Sequence, residues 1–205
     1  MVRTTSSLNA SLDALAAAEP GFARVLATHG RPEPRLSDPG VATLMRTIVG
    51  QQVSVAAARS MWAKLEAAFG TPPDLARLLA ASDEELRGLG QSRQKAGYLR
   101  SLAGLVLAGD LDLADLPADD EEAVALLTQV KGIGRWSAEI YLLFAEGRGD
   151  VWPAGDLAVQ VEVGRLLGLD ERPSEKQLRA LAEAWRPHRG AAAVLAWHSY
   201  NSEPL

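Results

Sequence analysis

Residues 127–138 read LTQVKGIGRWSA, and the Gly-Ile-Gly turn inside this stretch limits the fold more than any other part of the chain. Before it, Ala123, Val124, Leu127 and Val130 recur at helical spacing; after it, Trp136, Ile140, Leu143 and Phe144 do the same. Two helices must therefore meet across a very short connection. Gly132 and Gly134 are free to take positive φ, and without side chains they let another molecule come close to the backbone. The N–H groups of Gly134 and its successors point out of the start of the second helix, where the positive end of the macrodipole favours an anion. Such a turn can hold a phosphate. The plainer reading is an αα-hairpin whose glycines only end one helix and begin the next.

Nothing between the turns reads as an alternating strand, so the expected fold is all-α. A first helix is expected over Leu12 to His29, followed by GRPEPRLSDPG, a loop whose prolines exclude helix. Val41 to Phe69 reads as helical with a break at Gly50-Gln51-Gln52. Ser82 and Glu85 have capping-box spacing for the next helix, and Gly88 to Gln91 separates it from a longer one over Ser92 to Ala108. The connector LAGDLDLADLPADDEE leads into the first hairpin helix. Beyond the hairpin, Pro153 and Asp156 mark a helix start and Gly168 a stop. Ser174 and Gln177 form a second capping-box pattern, for a helix through Trp185, and a last helix is expected from Arg189 to Tyr200.

With 205 residues, 47% hydrophobic and 23% charged, the chain is globular rather than disordered. No apolar run approaches the roughly 20 residues that span a bilayer, and the N-terminal sequence lacks the basic head and apolar core of a signal peptide. A cytoplasmic protein with no membrane partner is expected. There is no cysteine, hence no disulfide, thiolate nucleophile or cysteine-held iron–sulfur cluster. His29, His188 and His198 match no common metal spacing. The net charge of −5 runs against a nucleic-acid partner, because phosphate neutralisation supplies much of such affinity. Its distribution resolves part of the conflict. Asp110, Asp112, Asp115, Asp119, Asp120, Glu121 and Glu122 carry seven negative charges within the connector, and without them −5 becomes +2. Basic residues gather elsewhere: Arg87, Arg93, Lys95 and Arg100, then Lys131 and Arg135 around the hairpin, then Arg179, Arg186 and Arg189.

After the hairpin the chain reads DVWPAGDLAV. Pro153 and Gly155 bend it, and Asp156 sits where an N-cap belongs, ahead of Val159, Val163 and Leu166 at helical spacing. Its carboxylate is an anion at neutral pH, and the helix N-terminus favours that charge. Capping alone explains an aspartate here. Combined with the order Leu-x-x-Val-Lys-Gly-Ile-Gly-x-x-Ser-Ala, however, the chain resembles the helix-hairpin-helix DNA glycosylase superfamily, and within it the AlkA-type 3-methyladenine DNA glycosylases II. The resemblance runs from about Val41 to Trp197 through IVGQQVS, SRQKAGYL, the hairpin, VWPAGD and WRPHRGAAA.

The resemblance implies a two-lobed helical fold with a cleft between lobes. Residues 1–35 would form an N-terminal helix and loop packing with the C-terminal lobe, 36–115 a first helical lobe, and 116–205 the hairpin and catalytic lobe. It implies a monomer that flips damaged bases out of double-stranded DNA and releases alkylated purines such as 3-methyladenine and 7-methylguanine. Asp156 would be catalytic. Gly132, Gly134, Lys131, Arg135, Ser137, Gln51, Gln52, Ser92, Arg93 and Lys95 would contact DNA, with Gln52 where relatives insert a wedge and Gln51 or Val53 beside it. Trp136, Trp197, Tyr141 and Trp152 are the candidates for stacking on the flipped base, an electron-poor partner suited to aromatic faces. Strand-cutting relatives keep a lysine where Trp136 stands, so no Schiff base can form and the expected enzyme is monofunctional. No cofactor is required; the carbonyls of Thr128, Val130 and Ile133 are those by which family hairpins hold a monovalent cation. The competing readings are a non-catalytic helix-hairpin-helix DNA-binding module and an all-helical protein-interaction domain.

Overall fold

Side chains that accept a backbone N–H set most of the helix starts. The computed structural model describes residues 4–202, and among them Thr4, Ser54, Asp74, Ser82, Ser92, Asp119, Asp156 and Ser174 each cap a helix in this way. In chain order the helices are α1 (Thr5–Ala18), α2 (Pro20–His29), α3 (Val41–Gly50), α4 (Val55–Phe69), α5 (Leu75–Ala80), α6 (Asp83–Gly88), α7 (Arg93–Ala108), α8 (Asp120–Leu127), α9 (Arg135–Phe144), α10 (Leu157–Leu166), α11 (Glu175–Leu181) and α12 (Arg189–Tyr200). A turn of 3-10 helix, Ala182–Trp185, separates the last two. The described residues contain no strand, and no helix among them is long and apolar enough to cross a membrane.

Two helices replace the single one expected over Leu12 to His29. Pro20 has no N–H to give and its ring clashes with the preceding turn, so Glu19 leaves the helix at φ −139° and its carboxylate accepts from Gly21 N to start α2. The short α5 was not expected from periodicity; its start is set by Asp74 Oδ1, which accepts from Arg77 N at 2.8 Å.

The chain divides into two compact units, one of them Asp38–Tyr141 and the other formed by residues up to Ser37 together with those from Leu142 onward. These bounds differ from the expected 36–115 and 116–205. Hydrogen bonds within the central unit account for the difference. Gln51 Nε2 donates to Gly132 O at 2.8 Å, Lys131 N to Ser101 Oγ at 3.1 Å and Gly40 N to the Tyr141 hydroxyl at 2.7 Å. The hairpin is thereby held to the end of α3, to α7 and to the segment before α3.

In the central unit α7 packs against α3, α5 and α6. Leu44, Met45, Ile48, Leu65, Leu78, Leu86, Leu99 and Leu102 are buried there, each worth about 1.5–3 kcal/mol of transfer free energy. In the other unit α12 packs against α10, α1 and α2. Small residues allow this: Ala191, Ala192, Ala193 and Ala196 are fully buried. A Cβ on Gly190 would lie 2.7 Å from Gly149 O and 2.8 Å from Leu143 Cδ1, so a side chain does not fit there. A buried hydrogen bond from Ser199 Oγ to Glu162 Oε1, 2.5 Å, ties α12 to α10.

Candidate functional site

Asp156 is the N-cap of α10, its Oδ1 accepting from Val159 N at 3.0 Å. The same oxygen accepts from Trp197 Nε1 at 3.1 Å. The loop that delivers the aspartate is itself closed by hydrogen bonds. Asp156 N donates to Pro153 O at 2.9 Å, Ala154 N to Trp152 O at 2.8 Å, and the buried Gln160 reaches back from α10 with Nε2 on Ala154 O at 2.8 Å. At the loop's start Asp150 accepts from Arg189 Nε and Nη2, both at 3.0 Å, and from Arg186 Nη1 at 2.6 Å. Val151, Trp152 and Ala154 are buried. A half-buried carboxylate is thus held in one place on a loop with little freedom, the condition under which a fixed charge stabilises a developing opposite charge best.

The hairpin has one glycine in the left-handed region, Gly132 at φ +84°. Gly134 does not share it, contrary to the freedom expected of both; its carbonyl accepts from Ala138 N at 3.0 Å as the residue before α9. Gly132 is required twice over, since a Cβ there would also meet the Tyr98 ring at 2.1 Å. Gly134, Arg135 and Trp136 are exposed, so the start of α9 is open to solvent.

An open cavity of about 620 Å³ in this unit brings together Gln51, Gln52, Ser92, Lys95, Gly132, Ser137 and Trp136 from three separate stretches of the sequence. Trp136 is 47% exposed. Gln52, in the turn between α3 and α4, is exposed and holds φ +55°. A non-glycine residue in that region costs about 1–3 kcal/mol, a strain that clusters at functional positions. Arg46, Thr47, Gln94 and Tyr98 line the same cavity and were not among the residues expected from the sequence. Tyr98 lies inside SRQKAGYL, but nothing local reveals its contact with Gly132.

Other expected residues are placed differently. Lys95 is buried, donating Nζ to Val49 O at 2.7 Å, and burial pulls its ammonium below the ordinary lysine range. Arg135 is held by Glu121 through both terminal nitrogens and lies 3.4 Å from Glu139 Oε1; the hydrogen bond to Glu121 raises its affinity for the proton further. Arg93 and Lys131 are exposed. Tyr141 and Trp152 are each 3% exposed. Tyr141 spends its hydroxyl on Gly40 N, and Trp152 meets Trp185 edge-on at 5.5 Å. Both rings are packed among buried neighbours.

No group of three or more His, Asp or Glu side chains placed to hold a metal ion occurs among the described residues. The carbonyls at the hairpin are a different donor set. Val130 O accepts from Ile133 N at 3.0 Å, and Gly132 O from Gln51, while among the described residues no donor is bonded to the carbonyls of Thr128 or Ile133.

Residues 45–187 match the family described as the HhH-GPD superfamily base excision DNA repair protein. DNA-3-methyladenine glycosylase 2 of Escherichia coli (strain K12) is 31% identical over 170 residues, 78% of this chain and 57% of the relative. DNA-3-methyladenine glycosylase 1 of Schizosaccharomyces pombe is 30% identical over 161 residues, 75% of this chain and 69% of the relative. Among solved structures, the S. pombe 3-methyladenine DNA glycosylase in complex with abasic DNA superposes with a TM-score of 0.75 at 27% identity, covering 89% of this chain and 92% of that one. A DNA-3-methyladenine glycosidase from Bacillus halodurans gives 0.77 at 29% identity, with 90% of each chain covered. The chain belongs to the HhH-GPD superfamily of base excision DNA repair proteins.

Proposed function

We propose that this protein is a monofunctional DNA glycosylase acting in the cytoplasm as a monomer on double-stranded DNA, releasing alkylated purines such as 3-methyladenine and 7-methylguanine. The observation that carries the proposal is the fixed carboxylate of Asp156, held through Oδ1 by Val159 N and Trp197 Nε1. A base alkylated at a ring nitrogen carries positive charge while bonded to the sugar. When the bond from C1′ to the base nitrogen breaks, its electron pair goes to the base, which leaves neutral, and the cation passes to the deoxyribose. The role of Asp156 is to stabilise that cation and orient the water that adds to C1′; the water's proton goes to the carboxylate or to solvent.

The remaining roles follow the chemistry of the residues. The exposed start of α9, with Lys131, suits a DNA phosphate. Gln52, strained and exposed, suits the gap left by the flipped base, and the exposed Trp136 suits stacking on it. With no lysine at position 136 there is no amine for strand cleavage. The Thr128 and Ile133 carbonyls, together with Val130, would hold a monovalent cation that draws a phosphate toward the hairpin.

Single-turnover release of methylated bases by Asp156→Asn tests the proposal. Release slower by about 100-fold or more, with abasic-site binding retained, is the expected result. Release at the wild-type rate leaves only the non-catalytic DNA-binding module, and a DNA affinity insensitive to salt leaves the protein-interaction domain. Duplexes each carrying one lesion type would define the substrate range.

A further inference from the structure

We infer that Trp197 is a positioning residue for Asp156, and that its contribution to the reaction is its indole N–H rather than a stacking face. The inference rests on the reading of Asp156 as the carboxylate that faces the sugar.

A capping bond alone constrains Asp156 from its own helix only: Val159 N lies three residues on and reaches one oxygen. The side chain can still pivot about that contact. Trp197 Nε1 reaches the same oxygen from α12, 41 residues away in sequence, so two donors on separate helices define where Oδ1 sits. Both bonds are to an ionised group and are stronger than neutral ones for that reason. The indole is a rigid donor with two side-chain torsions, and its ring is seated on Phe144 at 5.6 Å with the planes tilted by 35°. The helix beneath it is fixed as well. Gly190 N donates to Gly149 O at 2.9 Å near the start of α12, and Ser199 is bonded to Glu162 of α10 near its end. The closeness permitted by the small residues of α12 is what brings the indole N–H within reach of the N-cap of α10.

A wall of the base pocket and a donor to the carboxylate respond differently to substitution. Trp197→Phe keeps an aromatic ring and removes the N–H; a benzothienylalanine residue at the same position keeps the shape of the bicyclic ring and also removes it. If the N–H positions Asp156, both variants lower the single-turnover excision rate by about 10- to 100-fold, the effect of losing one hydrogen bond to a charged group. The loss is alike for every lesion, because the sugar is common to all, and affinity for abasic-site duplex stays within about twofold. Excision at the wild-type rate by the benzothienyl variant, or a loss confined to particular lesions, overturns the inference. The bond has a signature apart from activity. The Trp197 Nε1–H resonance, identified by its absence in Trp197→Phe, moves upfield in Asp156→Ala; an unmoved resonance overturns the inference. An active Asp156→Asn variant would instead remove the glycosylase reading, while the resonance still reports the bond.

Discussion

Gly132→Ala separates two costs that the structure assigns to one position. An L-residue at φ +84° takes the left-handed conformation, at about 1–2 kcal/mol. The new methyl would also sit 2.1, 2.4 and 2.5 Å from Cδ2, Cε2 and Cγ of Tyr98. The clash includes Cγ, which rotation of the ring about its own axis does not move, and overpacking of this kind costs about 1–3 kcal/mol. The expected destabilisation is therefore about 2–5 kcal/mol, a large share of the 5–15 kcal/mol typical of a folded domain. Urea denaturation followed by circular dichroism measures it. Gly134→Ala is the control, because a Cβ there meets nothing within 4 Å; only the helix-cap preference is lost, under about 1 kcal/mol. A double-mutant cycle with Tyr98→Ala should recover the steric part and leave the backbone part, a coupling of about 1–3 kcal/mol. Equal costs for the two glycine substitutions, or a coupling near zero, would refute the reasoning.

Two further outcomes follow from charges that the fold has redirected. Glu121→Ala releases the Arg135 guanidinium from its paired oxygens, so affinity for undamaged duplex should rise and the slope of log affinity against log salt should steepen by about 1, as for one added phosphate contact; fluorescence anisotropy at several salt concentrations reads this, and an unchanged slope contradicts it. Lys95, whose folded-state affinity for its proton is lowered by burial, gives a pH dependence of known sign. Below the lowered value both folded and unfolded states are protonated and stability is flat. Between that value and the ordinary lysine value of 10.5 the unfolded state holds more protons, so stability rises with pH. In urea melts at stepped pH wild type should gain stability relative to Lys95→Met toward alkaline pH, and a constant difference would count against the burial argument.

What was legible in the sequence was local. Ser174 and Gln177 form the capping box their spacing predicts, and Asp156 is the N-cap its position before an apolar run predicts. Pro20 carries the signal for the break between α1 and α2, and the single helix expected over Leu12 to His29 runs across it. The hairpin was readable as a turn, but the reason Gly132 differs from Gly134 was not. That reason is the ring of Tyr98, on a helix that pattern alone does not place beside the turn. Arg135 looked like a phosphate ligand because its charge was visible and its partner Glu121, in the first turn of α8, was not. For Trp197 the residue type suggested a stacking face, and only the packing of α12 on α10 shows where its N–H goes. Contacts across tens of residues depend on which small side chains let helices approach, and periodicity is silent about that.

The division of the chain also has a consequence for the order in which the protein is made. Residues 38–141 form an uninterrupted unit, so everything that shapes the hairpin is synthesised before α10. The unit holding Asp156 is discontinuous, with α1 and α2 waiting for α10 and α12 across more than a hundred intervening residues. Closing so long a loop is slow and can begin only late in translation. A chain ending after α9 would carry every residue of the hairpin unit's turn and no carboxylate to go with it.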